Sequence, residues 1–224
     1  MATSTVEDYL KAILVHEQQQ PAGRLVTMGQ IGTALAVAPG TVTAMVKALE
    51  KDGLLVYEPY SGVRLSADGR QMALHVLRRH RLIELFLVEI LGLDWSEVHE
   101  EAERLEHAMS DKLIDRIDAL LDYPETDPHG DPIPDGAGEV RQTQGVRLSD
   151  CPLGNAFRVA RVSDQDESFL RFVERNGLKP GSRVAVKKRD TSADAITVQS
   201  ETGPEITIGG EAAAKLWVEE VHHE

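Results

Sequence analysis

The sequence predicts a mainly α protein with a β tail: a winged helix-turn-helix, then a helical segment, then a small β-barrel. Three observations carry this. Two short helical patterns joined by "VAPG" precede a hairpin pattern, and apolar-striped, strongly charged helical patterns fill the middle. Beyond "YPETDPHGDPIPDGAGE", rich in Pro, Gly and Asp, the periodicity changes to short alternating runs.

Taken in order, Thr5 with Asp8, or Ser4 with Glu7, has capping-box spacing and starts a first helix over about Val6 to Gln18, which "QQQPAGR" ends. Thr27 with Gln30 repeats the box before a short second helix. Pro39 suits the first turn of a third, whose Val42, Val46 and Leu49 share one face and which Gly53 stops. "LLVYEP" and "VRLS" flank "YSG" as a wing. Ser66 caps a long helix through "LRRHRLIELFLVEILGL". Its Val76, Leu77, Ile83, Leu87, Ile90 and Leu91 are too apolar for a lone surface helix and point to a homodimer. "SEVHEEAERLEHAM" and "SDKLIDRIDALL" continue as helices. "AFRVARVS", "SRVAVKKRD", "AITVQS" and "EITIGG" read as strands, with "KPGS" a turn. The expected domains are residues 1–72, 73–142 and 143–224.

Composition narrows the function. The 224 residues, 42% hydrophobic, suffice for more than one modest core. No apolar run approaches the ~20 residues of a membrane span, and no signal stretch opens the chain, so a cytosolic protein with no membrane partner is expected. Cys151 is the one cysteine, which excludes an internal disulfide and leaves nitrogen and oxygen for any metal chemistry. The net charge of −13 argues against a general polyanion binder. It is concentrated in residues 76–142, where seven Lys/Arg face seventeen Asp/Glu.

Within that acidic stretch His99, Glu103, Glu106 and His107 fall on one side of a helix. One reading is a solvated acidic face with Arg104 and Lys112 as partners. The two imidazoles, each beside a carboxylate, favour a divalent ion instead. Eight residues of helix rise about 12 Å, too far for His99 and His107 to share one ion, so two sites are expected. Glu103, Glu106 and His107 can form one. His80 and Glu84, one turn apart on the preceding helix, can join His99 in the other. The spacing of a hydrolytic zinc or di-iron site is absent.

On these residues the chain resembles the iron- and manganese-dependent repressors of the diphtheria toxin repressor (DtxR/MntR) type. "VEDYLKAI", "AVAPGTVTAMVKALEKDGLL", "RRHRLIE", "GLDWSEVHEEAERLEHAMSD" and "PHGDPIP" carry the resemblance, and the tail is similar to the SH3-like FeoA barrel of the longer members. The resemblance implies a metal-activated, homodimeric repressor of metal-uptake genes on double-stranded DNA, not an enzyme. It implies a primary metal site of Asp8, Glu103, Glu106 and His107, although Asp8 also fits a capping role. The second site would be His80, Glu84 and His99, with Asp164 and Glu167 of "SDQDE" lent by the tail. Cysteine and methionine typify the iron branch where Glu103 and Asp8 stand here, so Mn(II) is favoured, Fe(II) is possible, and other divalent transition metals are expected to bind in vitro. The short manganese sensors carry glutamate where this chain has Lys11.

Thr41, Thr43, Ala44 and Lys47 lie opposite the apolar face of the third helix and are expected to meet DNA, with Tyr60 and Arg64 of the wing on its backbone. No Arg or Gln is placed there for bidentate base reading, so DNA shape and dimer spacing contribute to specificity. Two other classes fit less: a winged-helix regulator answering an organic ligand, and a metalloenzyme. His129 reads as a linker residue, and His222 with His223 as an adventitious metal pair.

Overall fold

The computed structural model of the chain describes residues 3–141 and 145–221. It divides into two compact units: Met1–His80 with Pro134–Glu139, and Arg81–Ile133 with Val140–Glu224. The fold class is the expected one.

In the first unit, α1 (Ser4–Gln19) is capped by Thr3, whose side chain accepts from the Val6 N–H. Neither expected box forms, because Ser4 and Thr5 already lie inside the helix. The capping box of α2 (Met28–Ala34) does form, with Thr27 and Gln30 satisfying each other's backbone groups. α3 (Pro39–Lys51) opens on Pro39 and ends at Gly53, whose φ of +74° lets the Leu54 N–H reach back to the Leu49 carbonyl. β1 (Leu55–Glu58) and β2 (Gly62–Leu65) pair antiparallel as the wing, with Tyr60 fully exposed at its tip. Glu17 ties the wing to α1: its carboxylate accepts the Leu65 N–H and the Arg70 guanidinium. Leu10, Ile13, Val42, Val46 and Val63 are buried in this unit.

α4 (Ala67–Glu89) begins at Ser66, whose hydroxyl oxygen accepts the Gly69 N–H. Of its apolar excess, Val76, Leu77, Ile83 and Leu87 are buried within the chain itself, while Ile90 is 48% and Leu91 56% exposed. Most of the surplus read as a dimer signal is therefore internal core. In the second unit α5 (Val98–Glu106) and α6 (Asp111–Leu120) pack around Leu82, Ile83, Leu87, Val98, Ala102, Ile114 and Ile117.

The tail is an antiparallel sheet in the order β3-β8-β4-β5-β6-β7. Its strands are β3 (Val146–Arg147), β4 (Ala156–Val162), β5 (Arg183–Asp190), β6 (Ala195–Ser200), β7 (Glu205–Gly209) and β8 (Leu216–Glu220). β4 to β7 are the expected strands. Two helices, α7 (Glu167–Arg175) and α8 (Gly210–Ala214), are additions. "SDQDE" is a helix start, where Asp166 accepts the Phe169 N–H as N-cap. The β core around Phe157, Val159, Val186 and Val218 also takes in Trp95, from the loop before α5. Among the described residues no single helix is long and apolar enough to cross a membrane.

Candidate metal centre

The Pro/Gly/Asp-rich segment, read from sequence as a linker, contains a buried loop. Asp127 Oδ1 accepts the backbone N–H of both His129 (2.8 Å) and Asp131 (2.9 Å), which closes an Asx turn. The His129 carbonyl accepts the Val162 N–H of β4 at 2.8 Å. Gly130, at φ +83°, lets the loop lie against that strand, since a Cβ there would stand 2.0 Å from the Ala160 carbonyl oxygen. His129, held on both sides, is fully buried.

The loop brings its side chains to α4. Glu84, also fully buried, stands between two imidazoles: Oε1 is 3.2 Å from His99 Nδ1 and Oε2 is 3.8 Å from His129 Nδ1. His99 Nε2 lies 3.7 Å from Glu103 Oε1. Ligand atoms of Glu84, Asp127 and His129 all fall within 4.8 Å of one another. Asp127 Oδ2 and His129 Nδ1 are buried there with no hydrogen-bond partner among the described residues. Each such orphan costs about 1–3 kcal/mol unless something satisfies it. Two carboxylate oxygens and an imidazole nitrogen form a donor set that fits a divalent ion.

The electrostatics agree. Burial pushes the Asp127 carboxyl well above the usual range, the charges of Asp131 and Glu84 push it further, and Arg81 opposes both. Arg81 Nε is 3.7 Å from Asp127 Oδ2, beyond hydrogen-bond reach, and its Nη2 is 3.7 Å from Asp131. Asp131 also pairs at 3.3 Å with Arg161 of β4. Arg161 answers the outer acid, and Arg81 lies between both acids at equal distance without donating a hydrogen bond to Asp127 Oδ2.

Of the expected second set, Glu84 and His99 adjoin, and His80 is buried one turn earlier on α4, on the face of Glu84. Glu103, assigned to the primary set, faces His99. Glu106 is buried, and its Oε1 lies 3.3 Å from His107 Nε2. Asp8 is half-buried on α1. Asp164 pairs with Lys215 at 2.5 Å and Glu167 with Arg171 at 2.7 Å. Glu100 and Glu101 pair with Arg104, so the solvated-face reading holds for that side of α5. Thr41, Ala44 and Lys47 are exposed, while half-buried Thr43 donates its hydroxyl to the Pro39 carbonyl at 3.0 Å. Tyr60 and Arg64 are exposed on the wing. His222 and His223 lie outside the described residues. Sequence reasoning missed Asp127 and His129; the available signal was an Asp-x-His pair ahead of a glycine.

Residues 1–63 match the N-terminal DNA-binding domain of the iron-dependent repressors, residues 66–135 their metal-binding and dimerisation domain, and residues 146–220 the FeoA domain. The iron-dependent repressor IdeR of Mycobacterium leprae is 33% identical over 97% of both chains. The regulator MntR of Bacillus subtilis is 38% identical over 57% of this chain and 87% of its own. A manganese-dependent transcriptional repressor solved with manganese superposes at a TM-score of 0.88, with 38% identity over 96% of this chain and all of that one.

Proposed function

Because the chain belongs to the iron-dependent repressor family, we propose that it is a transcriptional repressor whose hold on operator DNA is switched on by a divalent ion, Mn(II) in preference to Fe(II). The observation that carries this reading is the string of carboxylates and imidazoles that runs from half-exposed Glu103 and His99 to buried Glu84, His129 and Asp127, with two of its buried polar atoms orphaned. A catalytic role finds no comparable support.

Glu106 and His107, with Asp8 and Glu103, are assigned to the primary ion. His80, Glu84 and His99 are assigned to a second, which shares Glu84 with the Asp127 and His129 donors. Asp164 and Glu167 could join only by releasing Lys215 and Arg171. Carboxylate oxygen and imidazole nitrogen suit manganese, and no thiolate joins the set, because Cys151 is buried in the β core. A bound ion supplies the positive charge that lets clustered acids converge. Asp8, carried by the DNA-reading domain, then fixes the orientation of α3, so less freedom is surrendered on docking. In this reading residues 1–72 read DNA, residues 73–142 hold ions and dimerise, and residues 143–224 cover the metal domain. The exposed Ile90, Leu91, Leu113 and Leu120 support a homodimer in the cytosol that spans half-sites about 34 Å apart or a multiple of that.

Operator binding with and without Mn(II) tests this. Mobility shift is expected only with the ion, and loss of the shift is expected in Asp8→Ala and Glu103→Ala. Shifting without metal would favour a regulator answering an organic ligand. Linkage also requires operator DNA to tighten ion binding, so equal affinity with and without operator would contradict the mechanism.

A further inference from the structure

We propose that Trp95 is the positioning residue for His129, and that through it the seating of the β domain sets the affinity of the Glu84, Asp127 and His129 donors for their ion. This rests on the reading of those donors given above.

His129 Nε2 lies 2.9 Å from the Trp95 carbonyl oxygen. A carbonyl can only accept, so Nε2 carries the proton, and in the neutral ring Nδ1 is left with a bare lone pair. That lone pair faces Glu84 Oε2 at 3.8 Å, with both side chains fully buried. The contact therefore selects the one tautomer able to ligate, as partners behind a metal-bound histidine do. The ring itself is also held: the Trp95 indole lies against it, centroids 5.3 Å apart and tilted by 32°.

Trp95 is in turn held from the other side. Its indole is 3% exposed and is packed in the core formed by Phe157, Leu178 and Val186. Lys179 Nζ sits 4.7 Å over the indole, and Glu97, two residues on, pairs with Arg171 of α7. The backbone at residue 95 is thus anchored by the β domain, although residue 95 belongs to the chain between α4 and α5. Unseating the tail would release the indole, then the carbonyl, then the orientation of His129. The indole Nε1 is buried with no hydrogen-bond partner among the described residues, so the ring serves by its area and shape rather than by its N–H.

Mn(II) titration calorimetry on the full chain tests this, together with the visible spectrum of the Co(II)-loaded protein. His129→Ala defines the binding component that belongs to these donors. Trp95→Ala is expected to weaken that component by about 10-fold, the lower end of what outer partners of ligands contribute. Trp95→Phe, which keeps the ring and the carbonyl, should bind within about twofold of wild type and show its Co(II) spectrum. Trp95→Ala in the His129→Ala background should cause no further loss, since the two act as one unit. Trp95→Leu replaces the alanine variant if that one does not fold. Wild-type affinity in Trp95→Ala, or an equal added loss in the His129→Ala background, would overturn the assignment and leave the ion site standing. Unchanged binding in His129→Ala would remove the site itself and the inference with it.

Discussion

Glu84 and His129 face each other 3.8 Å apart with both side chains fully buried, although 45 positions separate them in the chain. The carboxylate that closes on His99 with one oxygen turns the other toward His129, so two imidazoles depend on one acid. Glu84→Gln is accordingly expected to weaken Mn(II) binding at both. Saturation at a hundredfold excess over Kd stabilises a fold by about 2.7 kcal/mol, and each tenfold loss of affinity removes about 1.4 kcal/mol of that. Thermal unfolding with and without Mn(II) should show the ion-dependent gain in Tm at least halved in the variant. An undiminished gain would detach Glu84 from the site.

Gly130 is required by contact as well as by conformation. A methyl at that position meets the Ala160 carbonyl oxygen at 2.0 Å, and φ is +83°. Gly130→Ala should destabilise the second unit by about 1–3 kcal/mol, the usual range for overpacking. Urea unfolding followed by Trp fluorescence would measure it, and Mn(II) should recover part of the loss because it binds only the seated loop.

Cys151 is sealed in the β core, where burial pushes its thiol up to about 11. Its folded-state value lies above the unfolded one, so its contribution to stability is full below about pH 9 and is lost as pH rises toward 11. Iodoacetamide at pH 8.5 should leave the native protein unlabelled and label it fully in urea, as read by intact mass. Rapid native labelling would mean that the β core opens readily.

Lys47 is exposed on the outer face of α3, beside Thr43 and Ala44. If it neutralises a phosphate, Lys47→Ala should weaken operator and non-operator DNA alike. It should reduce the slope of log K against log salt by roughly 0.9 for each phosphate left unneutralised, or about twice that for a dimer. If residue 44 instead faces base edges, Ala44→Arg should change preference among operators. Fluorescence anisotropy across salt concentrations separates the two effects.

Local rules in the sequence determined the winged helix nearly whole. The Thr27 and Gln30 box, Pro39 at the start of α3 and Gly53 at its end are short-range signals, and alternation marked β4 to β7. His99, Glu103, Glu106 and His107 were legible because helical spacing alone puts them on one face. The tertiary structure decided the rest. That Val76, Leu77, Ile83 and Leu87 are internal core and not dimer surface depends on what packs against them. Asp127 and His129 looked like linker residues because a Pro/Gly-rich stretch carries no periodicity. Their burial comes from a backbone bond to Val162 and from the space left by Gly130, both reaching a strand some 30 residues further along the chain. Whether such a loop is solvated or lines a site depends on the strand that packs against it, and no local pattern encodes that packing.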